Sequence, residues 1–308
     1  MKYIFLGSPE IAVVILKKVC ETYGAPLAVV TQTAKATGRG QKIASTAVGQ
    51  FAREKGLPLI ETDRVTAEQL QPYSPDVLLV VAFGQILKSD VLAFPRVAPL
   101  NVHASLLPKY RGAAPFQRAI WNHEKKTGIT IQKMAKKLDA GDILLQKEIA
   151  ILPEETSGEL LERLATLGAE ASIEALRLLD TGKYFFTPQD ESLATLAPKI
   201  DKSEAIIDWK QPAEKIFDQV RALQPWPVAE TTLESTPLKV FRARVSPPEK
   251  SLTAGEIHTD HKTFLQVGCG DKSSLFLTEI QLANRKRLAI RDFLLAYRGN
   301  FPHSRMGA

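Results

Sequence analysis

Three side chains in this sequence have the types and spacing to move an acyl group. The stretch NVHASLLPKYRGAAP, residues 101–115, ends an apolar run with Asn101 and His103, and LDAGDI, residues 138–143, sets Asp139 in an Asp-Ala-Gly turn. Side chains alternate along an extended strand, so Asn101 and His103 project to one face, about 6–7 Å apart along the backbone. An amide that donates to a developing oxyanion, an imidazole that handles a proton and a carboxylate that orients or charges the imidazole suit acyl transfer to an amine. Such a set requires no Ser or Cys nucleophile. Taken singly, a His at a strand end is commonly structural and Asp-Ala-Gly commonly a turn. The functional reading rests on the three acting together.

The surrounding pattern supplies elements that can position them. Short β-rich runs at 2–6 (KYIFL) and 27–31 (LAVVT) flank a helical pattern around 9–23, and 77–83 (VLLVVAF) is an uninterrupted apolar run of the kind buried on both faces. This is βαβ grammar, which predicts a Rossmann-like, doubly wound, mostly parallel α/β sheet. Runs at 98–103 and 128–133 continue it, with helices expected at 114–123 and 156–181. In such sheets ligands bind at the carboxyl ends of strands, where Asn101 and His103 fall. After Gly182 the pattern changes. Residues 183–203 carry two prolines and no clean period, and beyond a helix at 212–223 come short alternating strands near 230–245, 255–258, 263–268 and 274–281. The expected organisation is a catalytic domain over 1–185, a linker over 186–203, and a smaller all-β, OB-like barrel domain over 204–308.

Composition narrows the function classes. The 308 residues are 44% hydrophobic and 24% charged, as in a soluble globular protein. Forty Lys and Arg against 34 Asp and Glu leave a net charge of +6, which favours an anionic partner. Lys35, Arg39 and Lys42 lie in one basic region, around a Gly-Arg-Gly loop able to present a cation to phosphates or base edges; Arg285, Lys286 and Arg287 lie in another. Two cysteines without CxxC or ligand spacing point to a reduced, cytoplasmic chain with no structural metal. Pro9 and Glu10 interrupt the apolar N-terminus, and no apolar run approaches the ~20 residues of a membrane span, so neither a signal peptide nor a membrane is expected. FLGSPEIA offers one Gly where a dinucleotide-binding loop needs GxGxxG, and no P-loop is present. The non-enzymatic alternative, an RNA-binding module, gives no reason for the Asn/His/Asp trio.

NVHASLLPKYRGAAP followed by LDAGDI resembles the folate-dependent formyltransferase family. FLGSPEIAV, TGRGQK, VVAFGQIL, APKIDKSEAIIDW, RALQPWPVAET and RLAIRDFLLAYR extend the likeness over nearly the whole chain. The resemblance implies transfer of the formyl group of 10-formyltetrahydrofolate to an amine. It is nearest to the members whose acceptor is the α-amino group of methionyl initiator tRNA, in translation initiation. It implies Asn101, His103 and Asp139 as the catalytic set, and Ser105, Leu106, Leu107 and Pro108 as the folate-contacting turn. It further implies the backbone of Phe83, Gly84 and Gln85 as a pterin contact, Arg39 at the acceptor end of the tRNA, no metal, and a monomeric cytoplasmic enzyme. TAKAT at 33–37 and AKK at 135–137 depart from the family's usual runs, and MAKKLDAGDI is similar also to sugar-nucleotide N-formyltransferases. The acceptor therefore stays open between a tRNA and a sugar nucleotide.

Overall fold

A computed structural model of the chain describes residues 1–37, 42–297 and 305–307, the side chains of residues 35–37, 42 and 43 excepted. Backbone contacts divide the chain into two compact units. The first comprises Met1–Pro115, Lys126–Ala150 and Leu161–Pro198, and the second Phe116–Lys125, Ile151–Leu160 and Lys199–Ala308.

The first unit opens with β1 (Tyr3–Gly7), α1 (Glu10–Thr22) and β2 (Ala28–Thr31), a βαβ unit with parallel strands. A hairpin of β3 (Lys35–Thr37) and β4 (Lys42–Ala44) comes next, then α2 (Ala47–Glu54), β5 (Leu59–Glu61), α3 (Ala67–Leu70), β6 (Val77–Val81), α4 (Ser89–Leu92), β7 (Ala98–His103) and the short β8 (Arg111–Gly112). One seven-stranded sheet runs in the order β10-β9-β7-β6-β1-β2-β5, where β9 is Lys126–Lys133 and β10 is Ile143–Ala150. Five strands from β5 to β7 are parallel, and β9 and β10 are antiparallel additions. The chain leaves β1 for β2 and β5 and returns to β6 on the other side of β1, so the strand order reverses between β1 and β6. That reversal opens a crevice at the carboxyl ends of the strands.

Burial explains the order. Every residue of β6 is buried, as an apolar strand covered on both faces must be. Helix α1 buries Ala12, Ile15, Leu16 and Val19, the i, i+3, i+4, i+7 stripe that faces a sheet. Phe5 in β1 and Leu79 in β6 pair in register and are fully buried. The edge strand β10 instead alternates between covered and exposed positions, so its apolar signal is half-strength.

The second unit contains α5 (Pro115–Trp121) from Phe116 onward, α7 (Ala213–Ala222), strands β12 to β17 and α8 (Ile290–Ala296). Between the two stretches of strands, α6 (Ser157–Asp180) and β11 (Leu196–Ala197) complete the chain order. Strands β12 (Ala229–Leu233), β13 (Thr236–Val245), β14 (Ile257–Thr259), β15 (Leu265–Gly268), β16 (Ser274–Leu282) and β17 (Leu288–Ala289) form a six-stranded antiparallel sheet. Its path is β12-β13-β16-β15-β14, with β17 on β16. Among the described residues β12 and β14 do not pair with each other, so the expected OB-like barrel is not closed directly between these two strands. Two register shifts in β13 opposite β16 bend the strand instead.

Helix α6 starts at a capping box: the Thr156 amide donates to Glu159 Oε2 at 2.8 Å, and the Glu159 amide donates to Thr156 Oγ1 at 3.4 Å. The Thr156 amide, then the Thr156 hydroxyl and Arg242, hold the Glu159 carboxyl down from its ordinary 4.5 to about 2, against an opposing effect of burial. A depressed carboxyl contributes stability above its unfolded value and loses it as pH falls through the folded value. Acid titration of folding should therefore show wild type losing stability between pH 4.5 and about 2, and Glu159→Gln losing less over that window. Equal losses would remove the cap from the acid response. In the sheet, Phe5→Ala should cost about 3–5 kcal/mol in denaturant unfolding, as for a large side chain deleted from a rigid core; a loss below about 1 kcal/mol would contradict the packing of β1 between its neighbours.

Candidate active site

The carboxyl end of β7 carries both strand residues of the trio. β9 pairs antiparallel with β7 so that Asn101 lies opposite Gln132 and His103 opposite Thr130. The turn between β9 and β10 brings Asp139 back to this edge, with the aspartate in the left-handed region at φ +50°. Asp is among the few side chains that adopt it readily. Gly141, two residues on, is forced by space: a Cβ there would sit 1.7 Å from the Lys133 carbonyl oxygen.

The Asp139 carboxylate is 9% exposed and collects donors from three elements. Gln132 Nε2 donates to Oδ1 at 3.0 Å, and the Gly112 amide to Oδ2 at 2.9 Å. Asn101 Nδ2 reaches Oδ1 at 3.5 Å, and His103 Nδ1 faces Oδ2 at 3.6 Å. The other imidazole nitrogen is committed. His103 Nε2 lies 2.9 Å from the Tyr110 carbonyl oxygen, and since a carbonyl only accepts, Nε2 carries the hydrogen. Nδ1, the other ring nitrogen, is the one that faces the Asp139 carboxylate. All three expected catalytic residues are thus brought together.

The turn after His103 is built from the inside. Thr130 is fully buried and saturates its hydroxyl: Oγ1 donates to the Ser105 carbonyl at 2.7 Å and accepts from the Leu107 amide at 3.1 Å and Gln146 Nε2 at 2.8 Å. Ser105 Oγ donates to the Lys109 carbonyl at 2.7 Å. Ser105 and Leu107 side chains are therefore buried parts of the turn, while Leu106 and Pro108 are half-buried. Just beyond β6, the Phe83 side chain is buried in the core and its carbonyl accepts from Gln32 Nε2 at 2.8 Å. Gln85 is used in the fold, donating to the Thr62 carbonyl at 2.7 Å and accepting from the Val65 amide at 3.1 Å. Gly84 is exposed at φ +75°, and a Cβ there would sit 2.5 Å from Gln32 Nε2.

The basic residues fall differently. Arg39 lies outside the described residues, as do the side chains of Lys35 and Lys42, whose backbones pair in the β3–β4 hairpin. Arg285 and Lys286 are exposed in the turn between β16 and β17. Arg287 is tied to Glu279 at 2.7 Å and stacks 4.2 Å from the Phe241 ring centroid.

Two further residues belong to the site besides those expected, and only one of them has a local signal in the sequence. Gln132 sits with Thr130 on the polar face of an otherwise apolar strand, a two-residue alternation visible in GITIQK. Gln189 donates to the Asp139 carbonyl at 2.9 Å and the Gly141 carbonyl at 2.7 Å from a segment whose composition reads only as linker. Among the described residues there is no cluster of three or more His, Cys, Asp or Glu able to hold a metal, and no helix long and apolar enough to cross a membrane.

Comparison with known proteins matches both parts of the chain. Residues 1–176 match the formyl transferase model and residues 199–298 the formyl transferase C-terminal domain. A protein of Methylococcus capsulatus named methionyl-tRNA formyltransferase is 42% identical over 301 residues, covering 96% of this chain and 97% of that one. One of Geobacter sulfurreducens with the same name is 39% identical, over 100% of this chain and 97% of its own. Among solved structures, an N-formyltransferase of Helicobacter canadensis in complex with folinic acid and dTDP-3-aminofucose is similar at TM-score 0.68 and 17% identity, over 90% of this chain and 98% of that one. HypX of Aquifex aeolicus in complex with tetrahydrofolic acid is similar at TM-score 0.63 and 18% identity, over 96% of this chain and 47% of that longer one. With near-complete coverage at about 40% identity to proteins of one name, the chain belongs to the formyl transferase family and, within it, to the methionyl-tRNA formyltransferases.

Proposed function

We propose that this enzyme transfers the formyl group of 10-formyltetrahydrofolate to the α-amino group of methionine on initiator tRNA. The observation that carries the reading is the convergence of Asn101, His103 and Asp139 at the carboxyl end of β7, in a chain whose relatives bear that activity in their names. The amine nitrogen attacks the formyl carbon and forms the new C–N bond. The carbonyl oxygen becomes an oxyanion, to which Asn101 Nδ2 donates. The amine gives up a proton, the C–N10 bond breaks, and N10 of tetrahydrofolate takes up a proton as it leaves. His103, held through Nε2 by Tyr110, exchanges protons at Nδ1, and Asp139 stabilises the charged ring and fixes its plane.

The folate lies against the turn Ser105–Pro108 and the backbone of Phe83–Gln85, where Gly84 leaves the chain approachable. Lys35, Arg39 and Lys42 meet the acceptor end of the tRNA, and Arg285, Lys286 and Arg287 its phosphates. A catalytic domain over 1–185 is followed by a segment over 186–203, whose residues 187–197 bond to that domain, and by a tRNA-binding domain over 204–308. An OB-like arrangement of that domain is supported by the backbone of its last residues: the Gly307 amide donates to Thr232 beside the end of β12, and the Met306 amide to Gly255 before β14. The two edges of the sheet thus share one strand-like segment. The enzyme works as a cytoplasmic monomer. The sugar N-formyltransferase among its structural neighbours shares the fold at 17% identity, which leaves the choice of acceptor to the closer relatives.

Asn101→Ala should lower kcat by about 10²–10³ with little change in KM for either substrate, as for a lost oxyanion donor. A change confined to KM would make Asn101 a binding residue. Formylation of a polyanion should also be steeply salt-dependent. Arg285→Ala and Lys286→Ala should each flatten the plot of log tRNA affinity against log salt by about one unit. An unchanged slope in both would remove the β16–β17 turn from the tRNA surface.

A further inference from the structure

We infer that Gln189 is a positioning residue for the Asp139 carboxylate, and that the strap of residues 187–197 carrying it is part of the active site. This deepens the reading of Asp139 as catalytic and rests on it. The strap falls between the stretches matched by the two family domains, which end at residue 176 and resume at residue 199.

Its attachments are to the two loops that hold the catalytic groups. Thr187 and Ile143 exchange backbone hydrogen bonds of 2.8 and 2.9 Å, anchoring the strap where β10 leaves the Asp139 turn. Thr195 Oγ1 accepts from the Tyr110 amide at 2.9 Å and the Thr195 carbonyl from the Arg111 amide at 2.9 Å. β11 then pairs with β8. Tyr110 is the residue whose carbonyl fixes His103, and Gly112 the residue whose amide binds Asp139. Gly112 has φ +129°, and a Cβ on it would come within 2.6 Å of the Ala197 carbonyl oxygen, so the strap and this loop meet backbone to backbone.

Gln189 joins the strap to the aspartate itself. Arg111, 4% exposed, donates to Gln189 Oε1 through Nε at 3.0 Å and a terminal nitrogen at 2.7 Å. A guanidinium has no acceptor, so the amide orientation is fixed: oxygen toward Arg111, nitrogen away from it. The two hydrogens of Nε2 are then directed at carbonyl oxygens, Asp139 at 2.9 Å and Gly141 at 2.7 Å, with Gln132 Oε1 further off at 3.5 Å. Both carbonyls belong to the turn that holds Asp139 at φ +50°, and Gln132 is the side chain that binds its carboxylate. Glu191 completes the set, bonded to Arg111 at 2.8 and 3.1 Å and to Lys137 at 2.6 Å. The turn that holds Asp139 in the left-handed region is thereby bonded by an amide whose orientation Arg111 fixes.

Loss of Gln189 should leave substrates bound and Asp139 misplaced. In formyl transfer from 10-formyltetrahydrofolate to methionyl initiator tRNA, Gln189→Ala should lower kcat about 10- to 100-fold while KM for each substrate moves less than about threefold, the pattern of lost geometry at a reacting centre. Gln189→Glu keeps the volume and the Arg111 contact but turns an anion on the two carbonyls; it should be impaired at least as much, and it carries the test if the alanine variant does not fold. In an Asp139→Ala background, adding Gln189→Ala should leave the residual kcat unchanged, because the residue acts through the one already removed. Wild-type kcat in both Gln189 variants, or a full additional loss in the Asp139→Ala background, would overturn the inference and leave the catalytic reading standing. Wild-type kcat in Asp139→Ala alone would overturn that reading and this inference with it.

Discussion

The site depends on one carboxylate being held in an unusual backbone conformation with its oxygens already claimed. Asp139 sits at φ +50°, and Gln132, Gly112, Asn101 and His103 approach its two oxygens from β9, the β8 loop and β7. A buried carboxylate left short of donors is costly, and each donor here also fixes something else. The Gly112 amide holds the loop whose Tyr110 carbonyl accepts from His103 Nε2; Gln132 also faces Gln189 through its own Oε1. Loss of the aspartate would therefore relax the positions of the amide and the imidazole as well as remove a charge.

The fold supplies this convergence through an antiparallel addition to a parallel sheet. In a purely parallel sheet each strand returns through a helix, and the carboxyl end of one strand is joined to the next strand by a crossover of a dozen or more residues. β9 runs back antiparallel beside β7, and the connection to β10, residues 134–142, sets Asp139 at the same edge as the end of β7, 3.5 Å from Asn101 Nδ2 and 3.6 Å from His103 Nδ1. The strand reversal between β1 and β6 lies one strand away from β7 in the same sheet.

Much of this is legible in the sequence, for physical reasons that also mark where legibility ends. The apolar run at 77–83, set between turn residues, reads as a strand covered on both faces, and the spacing of Asn101 and His103 puts them on one face of theirs. Leu59–Glu61 is three residues long and Ile143–Ala150 alternates at a sheet edge, so neither gives a strong apolar run and neither stands out as a strand. Whether the six strands close into the expected barrel depends on which edges meet, a non-local matter that strand patterns do not encode. Gln189 has no local signal at all. Its meaning comes from Arg111, 78 residues earlier in the chain, which fixes which end of the amide faces the turn. Gln132, by contrast, stands in plain view as the polar partner of Thr130 in an apolar strand.

The geometry proposed for formyl transfer would suit an amine whatever carries it, so the point to test is the identity of the acceptor. The most direct measurement offers the enzyme 10-formyltetrahydrofolate together with methionyl initiator tRNA, an amino-sugar nucleotide and glycinamide ribonucleotide at equal concentrations, and tracks the formylated product of each. Formyl-methionyl-tRNA should form in large excess over the other two. Formylation of the amino-sugar nucleotide or of glycinamide ribonucleotide in preference to the tRNA would contradict it.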